Sequence, residues 1–383
     1  MPETTAPTPL SIEARAGTSL PPELADNADE ARLALWEVER DLWSPVTFVA
    51  RDASGSVQGA ALTASRPYSA YRKIVDIVTD DDDVWEHLLA AVQTEDAPAS
   101  SDLRPTPVAM HFEEHLALAP LTFSRRARIE TLGFERAVQP VPSAPSTRPG
   151  DPTETAAWTW WRTTRPTRIA PYYGQTTDVT CGAVAALMGL EMRGHGAFDT
   201  ASVEANRATE IGFWRQATNL PACEPIGLAV ELAKSAEPLL GSVPRVILSA
   251  EGPVLLEDFE PENWEHALRV DLQLESLRQA HAAQIPIERR WIDISEVVEL
   301  VRGGAQVLLL IDLTDLIDDP TPHWVLATDV VDEALIISDP WIQAANGETW
   351  ADTYALPLPF TTVDRVTRWG EPTYRGVIIL STR

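Results

Sequence analysis

Cys181 has the sequence setting of a nucleophile. After Gly182 comes the apolar run AVAALMGL, whose spacing predicts a buried helix that Asp178 or Thr180 can cap. A thiol in the first helical turn lies at the positive end of the helix dipole, which favours the reactive thiolate. Gln175, six residues upstream, is predicted to bind a substrate oxyanion together with the backbone N–H of Cys181. Gly182 is expected to leave room for the substrate.

A base and an orienting acid are predicted downstream of this helix. Residues 322–331 and 334–340 are predicted strands joined by a two-residue turn. His323 and Asp339 lie at similar distances from that turn, and their even separation of 16 predicts that both face one side of the hairpin. The aspartate could then accept one imidazole N–H and leave the other nitrogen facing the thiol. The predicted nucleophile, base, orienting acid and oxyanion donor are Cys181, His323, Asp339 and Gln175.

These residues are compatible with three functions. A peptidase would form a thioester at Cys181 and release the acyl group to water. A transpeptidase or acyltransferase would form the same thioester and pass the acyl group to an amine. A catalytically inactive, peptide-binding scaffold would keep the residues without the chemistry.

Cys223 and the segment HFEEH are predicted to have structural roles. Cys223 lies between prolines without a helix start, the setting of a buried, unreactive cysteine. His111 to His115 matches the H-x-x-E-H pattern of inverted zinc peptidases, which needs both histidines on one helical face. Here His111 belongs to a predicted strand and His115 follows it, so the pair is expected to straddle a strand-to-helix junction. We therefore expect no metal and no cofactor.

Composition indicates a soluble, globular chain. Its 383 residues suit two domains of roughly 100–200 residues, and no apolar run approaches the roughly 20 residues that span a bilayer. A formal net charge of −27 would repel phosphate backbones and anionic lipid, so we expect a peptide or protein substrate, no nucleic acid and no membrane. The sequence starts without a secretory or transit signal, and two cysteines suit a reducing compartment, so a cytoplasmic location is expected.

Proline-rich segments predict the domain boundaries. Residues 1–30 lack an apolar face and are predicted to be a flexible tail, and residues 139–156 a linker. The two domains would then cover residues 31–138 and 157–383. We predict an α+β chain, with an α/β N-terminal domain and a C-terminal domain in which a cysteine-bearing helix packs on an antiparallel sheet.

The first domain is predicted to contain a helix, three strands, a helix, a strand and a helix that ends at Leu-Gly-Phe. This order resembles the GNAT-type acetyltransferase fold. The resemblance implies that a coenzyme A pyrophosphate would lie on the N–H groups of a glycine-rich loop at a helix start. That position holds Thr79 followed by Asp80 to Asp83, and four carboxylates would oppose a pyrophosphate. We therefore expect a non-catalytic domain, with the aspartates as a helix cap.

The second domain contains the segments GQTTDVTCG, HWVLATDV and SDPW. Together, residues 166–383 resemble the papain-like bacteriocin-processing cysteine peptidases, a bacterial family that removes leader peptides after a double glycine, and their stand-alone relatives. The resemblance implies a papain-like fold, cleavage of a peptide or leader peptide, and the four site residues in the roles given above. The family commonly has an Asp before the cysteine and a Pro after Cys-Gly, where this chain has Thr180 and Ala183.

Overall fold

The computed structural model describes residues 10–94, 103–143, 155–217, 221–236 and 243–381. The chain forms two compact units, each built from separate stretches of sequence. Unit 1 comprises Met1–Ala137, Pro152–Thr163 and Gln343–Asp352, and unit 2 comprises Val138–Asp151, Thr164–Ile342 and Thr353–Arg383.

Unit 1 contains a seven-stranded mixed sheet. Its strands follow chain order except at one edge, where the seventh lies between the fifth and the sixth. The fourth and fifth strands are parallel, and the other neighbours are antiparallel. The strands are β1 (Ser11–Ala16), β2 (Val46–Arg51), β3 (Val57–Ala64), β4 (Tyr71–Val78), β5 (Ala109–His115), β6 (Glu135–Arg136) and β7 (Thr155–Trp161).

Three helices accompany this sheet: α1 (Glu30–Glu37), α2 (Asp82–Thr94) and α3 (Phe123–Thr131). The helix α2 is the crossover that a parallel pair such as β4 and β5 requires. Its apolar residues recur at helical spacing and form one buried face, which joins the core of unit 1 beside Phe112 and Ile129. Unit 1 thus has the GNAT-like order of elements that the sequence predicts.

Unit 2 contains a second seven-stranded sheet. Its order is β13-β12-β11-β10-β14-β8-β9, and all neighbours except the pair β8 and β9 are antiparallel. The strands are β8 (Arg245–Leu248), β9 (Ile287–Glu288), β10 (Gln306–Asp312), β11 (Pro322–Val331), β12 (Ala334–Ser338), β13 (Leu356–Pro359) and β14 (Gly376–Leu380).

The helix that begins at Cys181 packs on β11, as the sequence predicts. All residues from Cys181 to Leu190 are buried, because this helix is apolar on every side. Among the described residues, the helices are too short or too polar to traverse a lipid bilayer. The helices described after α3 are α4 (Cys181–Met192), α5 (Val203–Ala217), α6 (Pro225–Ala236), α7 (Trp264–Ala282), α8 (Ile294–Arg302), α9 (Thr314–Ile317), α10 (Trp350–Thr353) and α11 (Phe360–Val366).

The prediction of a flexible tail over residues 1–30 is wrong from Ser11 onward. Residues Ser11–Ala16 form β1, which pairs with β2 in unit 1, and Pro22–Asn27 form a short 3-10 helix. An edge strand needs little apolar surface, and Ile12 is enough to contact the core. Residues 1–9 lie outside the described residues.

The predicted boundary at residue 157 is also wrong. Thr155–Trp161 form β7, whose Trp158 lies in the core of unit 1, and residues 144–154 of the predicted linker lie outside the described residues. Gln343–Asp352 also belong to unit 1, although the sequence assigned them to the second domain. Ion pairs explain this, since Glu348 contacts Arg66 at 2.6 Å and Asp352 contacts Lys73 at 2.6 Å, with all four side chains buried.

Candidate active site

Cys181 is the first residue of α4 and is 6% exposed. Thr180 occupies the N-cap position but makes no capping bond with its side chain. Its hydroxyl donates to Glu210 instead, at 2.5 Å. The expectation that Thr180 caps the helix through its side chain is therefore wrong.

His323 interacts with both other members of the predicted triad. Its Nε2 lies 2.7 Å from Asp339 Oδ1, and its imidazole also interacts electrostatically with the side chain of Cys181. Since Nε2 faces the carboxylate, Nδ1 is the nitrogen left for the thiol. His323 and Asp339 are 2% and 0% exposed, so this contact is shielded from water.

A β-bulge in β11 brings His323 and Asp339 to the same side of the sheet. Near the turn, β11 and β12 pair as Val331 with Ala334, and a register shift occurs between Ala327 and Asp329. Beyond the shift, the register places Asp339 opposite Val325, two residues from His323 and therefore on the same face. The unshifted register would place the two side chains on opposite faces. The even separation in sequence was therefore not a sufficient reason for the predicted contact.

The charge state of His323 follows from these neighbours. Burial lowers the pKa of His323, but the charge of Asp339, the hydrogen bond to it and the interaction with Cys181 raise that pKa, to about 9. The imidazole is therefore protonated at neutral pH. An imidazolium beside a thiol favours the nucleophilic thiolate.

Asp339 is held by its own backbone surroundings. The N–H of Trp341 donates to Asp339 Oδ1 at 2.8 Å, and the N–H of Asp339 donates to Thr353 O at 3.0 Å. A carboxylate that accepts an N–H two residues further on is a common turn feature, so the run Ser-Asp-Pro-Trp could have suggested the contact with Trp341. This contact was not among the predictions.

Gln175 lies in the loop that leads to α4. Its backbone N–H donates to Pro340 O at 2.9 Å, which fixes the loop beside the residue that follows Asp339. Its side-chain Nε2 donates to Thr177 O at 2.7 Å, and its Oε1 accepts no hydrogen bond within the described part of the chain. An amide nitrogen carries two hydrogens, so one of them remains for a substrate oxygen.

Cys223 is buried to 1% exposure and forms no disulfide with Cys181. A Cβ placed on Gly182 would lie 3.0 Å from Cys223 Cβ and 3.1 Å from Trp324 Cδ1. Gly182 therefore allows α4 to pack closely on side chains of unit 2. The expectation that it makes room for substrate is wrong.

The chain matches a family model over residues 170–381, which is more than half of its length and includes all four predicted site residues. The chain belongs to the Peptidase_C39 like family. No curated protein sequence matches it.

Solved structures similar to parts of this Peptidase_C39 like chain include one assigned as a peptidase and others assigned as acetyltransferases. A protein of Bacillus anthracis assigned as a C39-like peptidase aligns with 11% identity and a TM-score of 0.27 over 56% of this chain and 98% of its own. A protein of Acinetobacter baylyi ADP1 assigned as an acetyltransferase aligns with 12% identity and a TM-score of 0.27 over 41% of this chain and 97% of its own. A mutant of the spermidine N-acetyltransferase of Vibrio cholerae aligns with 12% identity and a TM-score of 0.25 over 39% of this chain and 93% of its own.

Outside the Peptidase_C39 like region, His111 and His115 both lie within β5, so the predicted strand-to-helix junction is wrong. His111 Nδ1 lies 2.6 Å from Ala351 O, and His115 Nε2 lies 3.2 Å from Val75 O. Four residues along a strand separate two side chains far more than one helical turn does. The residues that the structure describes contain no cluster of three groups able to hold a metal ion.

The position of the pyrophosphate loop in unit 1 is occupied by side chains of the protein. Asp81 caps α2 by accepting the N–H groups of Asp83 and Val84 at 2.7 and 3.1 Å. Arg125 donates to Asp82 Oδ1 at 2.9 Å and to Thr79 O at 2.7 Å. The aspartates therefore act as a helix cap and as partners of an arginine.

Proposed function

We propose that this protein is a cysteine peptidase that cleaves a peptide or leader peptide through a thioester at Cys181. One observation carries the proposal: in a buried site, the imidazole of His323 is hydrogen-bonded to the Asp339 carboxylate and interacts electrostatically with the Cys181 side chain. Membership of the Peptidase_C39 like family supports it.

In the proposed reaction the Cys181 thiolate attacks the carbonyl carbon of the scissile bond. The backbone N–H of Cys181 and the amide of Gln175 stabilise the resulting oxyanion. His323 gives its proton to the leaving amine as the C–N bond breaks, which leaves a neutral imidazole and a thioester. The imidazole then accepts a proton from water as the water oxygen attacks the thioester, the acid product leaves, and the ion pair is restored.

The proposed substrate is a polypeptide, because the acidic chain has no electrostatic attraction for nucleic acid or anionic lipid. The two buried cysteines without a disulfide support a cytoplasmic location. Unit 1 is proposed to be non-catalytic, because side chains of the protein occupy its cleft and its pyrophosphate-loop position.

A peptide library prepared from a bacterial proteome tests the proposal without knowledge of the substrate. Mass spectrometry would compare the new peptide termini produced by the wild type, Cys181→Ala, His323→Ala and the matched control Cys223→Ala. We expect new termini with the wild type and Cys223→Ala only. Termini that persist in Cys181→Ala would refute the proposal, and amine-linked products in place of new carboxyl termini would indicate an acyltransferase.

A further inference from the structure

Glu210 is a completely buried carboxylate on α5 that the proposed triad does not use. Its Oε1 accepts hydrogen bonds from Thr176 N at 2.8 Å and from Thr180 Oγ1 at 2.5 Å. Its Oε2 accepts from Thr176 Oγ1 at 2.7 Å and from Tyr173 OH at 3.0 Å. A single side chain therefore binds three residues of one loop through four hydrogen bonds.

This loop, residues 173–180, contains Gln175 and ends directly before Cys181, the two residues that supply the proposed oxyanion donors. Two of the residues bound to Glu210, Tyr173 and Thr176, flank Gln175, and the third, Thr180, directly precedes Cys181. The loop has no regular secondary structure of its own, so its shape depends on individual contacts, among them the bonds to Glu210 and the backbone bond from Gln175 N–H to Pro340 O. Tyr173 is additionally stacked on Phe198, with ring centroids 4.8 Å apart.

The contact with Thr180 has a second consequence for the start of α4. A threonine at an N-cap position ordinarily accepts a hydrogen bond from an N–H of the first helical turn. Here the Thr180 hydroxyl donates to Glu210 and makes no cap bond. The N–H groups of the second and third helical residues, which a capping side chain would bind, are therefore not used by the Thr180 side chain.

We propose that Glu210 is a positioning residue that fixes the 173–180 loop, so that Gln175 and the Cys181 N–H converge on the substrate's carbonyl oxygen. The proposal rests on the proposed peptidase function and adds a residue to it. Oxyanion donors stabilise a transition state only when they are held in place before the reaction begins. Burying a carboxylate is costly, and four donors aimed at it offset that cost while ordering the loop.

Two reactions of the Cys181 thiol distinguish a positioning role of Glu210 from a role in fold stability alone. Alkylation by iodoacetamide needs the nucleophile and its base but no oxyanion donor. Acylation by p-nitrophenyl acetate joins the thiol sulfur to the acetyl carbon, passes through an oxyanion and expels nitrophenolate. Acylation would be measured by the burst of nitrophenolate and by one acetyl group on the peptide that contains Cys181. The variant Cys181→Ala serves as the blank.

Glu210→Ala should alkylate at about the wild-type rate and acylate about 10²-fold more slowly, as Gln175→Ala should. Glu210→Gln should keep most of the acylation rate, because its amide can accept from Thr176 N and donate to the hydroxyls. Glu204→Ala, an exposed change on the same helix, is the matched control. If Glu210→Ala does not fold, Thr180→Val removes one of the four bonds and should still lower acylation relative to alkylation.

The outcomes distinguish this inference from the proposed function. Equal acylation rates in the wild type and in folded Glu210→Ala, or an unchanged ratio of the two rates in Thr180→Val, would overturn the role of Glu210 alone. A parallel loss of alkylation and acylation would mean that Glu210 only stabilises the fold. A wild type that neither alkylates preferentially at Cys181 nor acylates there would overturn the peptidase itself.

Discussion

Opposing effects set the protonation state of His323, the proposed base. Burial favours the neutral imidazole, whereas the charge of Asp339, the hydrogen bond to it and the interaction with Cys181 favour the imidazolium and prevail. The raised pKa of about 9 suits a group that must hold a proton at neutral pH for a leaving amine. Each of the four predicted site residues has a distinctive local setting in the sequence, and their catalytic roles stay predictions.

Replacing Asp339 by Asn should lower the pKa of His323, since it removes the neighbouring charge but keeps the shape. An NMR titration of the His323 ring would measure the change, from about 9 in the wild type towards neutral values in the variant. The pKa of His323 in the folded protein lies above its value of about 6.5 in the unfolded chain. The protonated imidazole therefore stabilises the fold fully below pH 6.5, and this stabilisation is lost as pH rises through about 9.

The difference in unfolding free energy between wild type and Asp339→Asn should therefore shrink from pH 6.5 to pH 9. Urea unfolding at several pH values would measure it. A difference that stays constant over this range would argue against the Asp339 charge as the source of the raised pKa.

The elements of the site were largely predictable, and the contacts between distant elements were not. The hydrophobic patterns predict α4, β11 and β12 at nearly their observed bounds. The extra residue near Thr328 that shifts the hairpin register could not be predicted from the hydrophobic pattern. Both faces of β11 are buried, so either register would place apolar residues in the core. Glu210 lies on a helix whose sequence, in the long stretch between Leu190 and Trp291, gives no sign of its partners.

Replacing Gly182 by Ala should destabilise unit 2 by about 1–3 kcal/mol, because the new methyl group would lie 3.0 Å from Cys223 Cβ in a closely packed region. Gly212 in α5 offers a matched control, since nothing lies within 4 Å of the position of its added Cβ. Gly212→Ala should be neutral or stabilising by up to about 1 kcal/mol. Thermal unfolding would compare the two, and equal stabilities would show that Gly182 is not required for packing.

At the scale of the whole molecule, sequence predicts two domains but not which segments of the chain belong to each. Gln343–Asp352 follow Asp339 in sequence and yet belong to unit 1. The cause is electrostatic and long-range, since the carboxylates of Glu348 and Asp352 lie against buried cations of unit 1. Periodicity and composition carry no information about such pairs.

Acetyl-CoA should not bind to unit 1. The hydrogen bonds between β4 and β5 end at the pair Ile74 and Phe112, and beyond it lies a cleft of only about 90 Å³. Arg32 lines this cleft and is bonded to Asp76 and to Ile77 O at 2.7–2.9 Å. Calorimetric titration of the full chain should give no heat of binding, and micromolar affinity would contradict the non-catalytic role.

The most direct test of the triad is the rate at which each cysteine is alkylated by iodoacetamide, followed by peptide mass spectrometry from pH 5 to 9. Both cysteines are buried, at 6% and 1% exposure, but only Cys181 combines a helix start with a contact to a protonated histidine. At pH 6–7 alkylation should go first to Cys181, and His323→Ala should remove that preference while leaving Cys223 unchanged. Equal rates for Cys181 and Cys223, or an unchanged Cys181 rate in folded His323→Ala, would contradict the account.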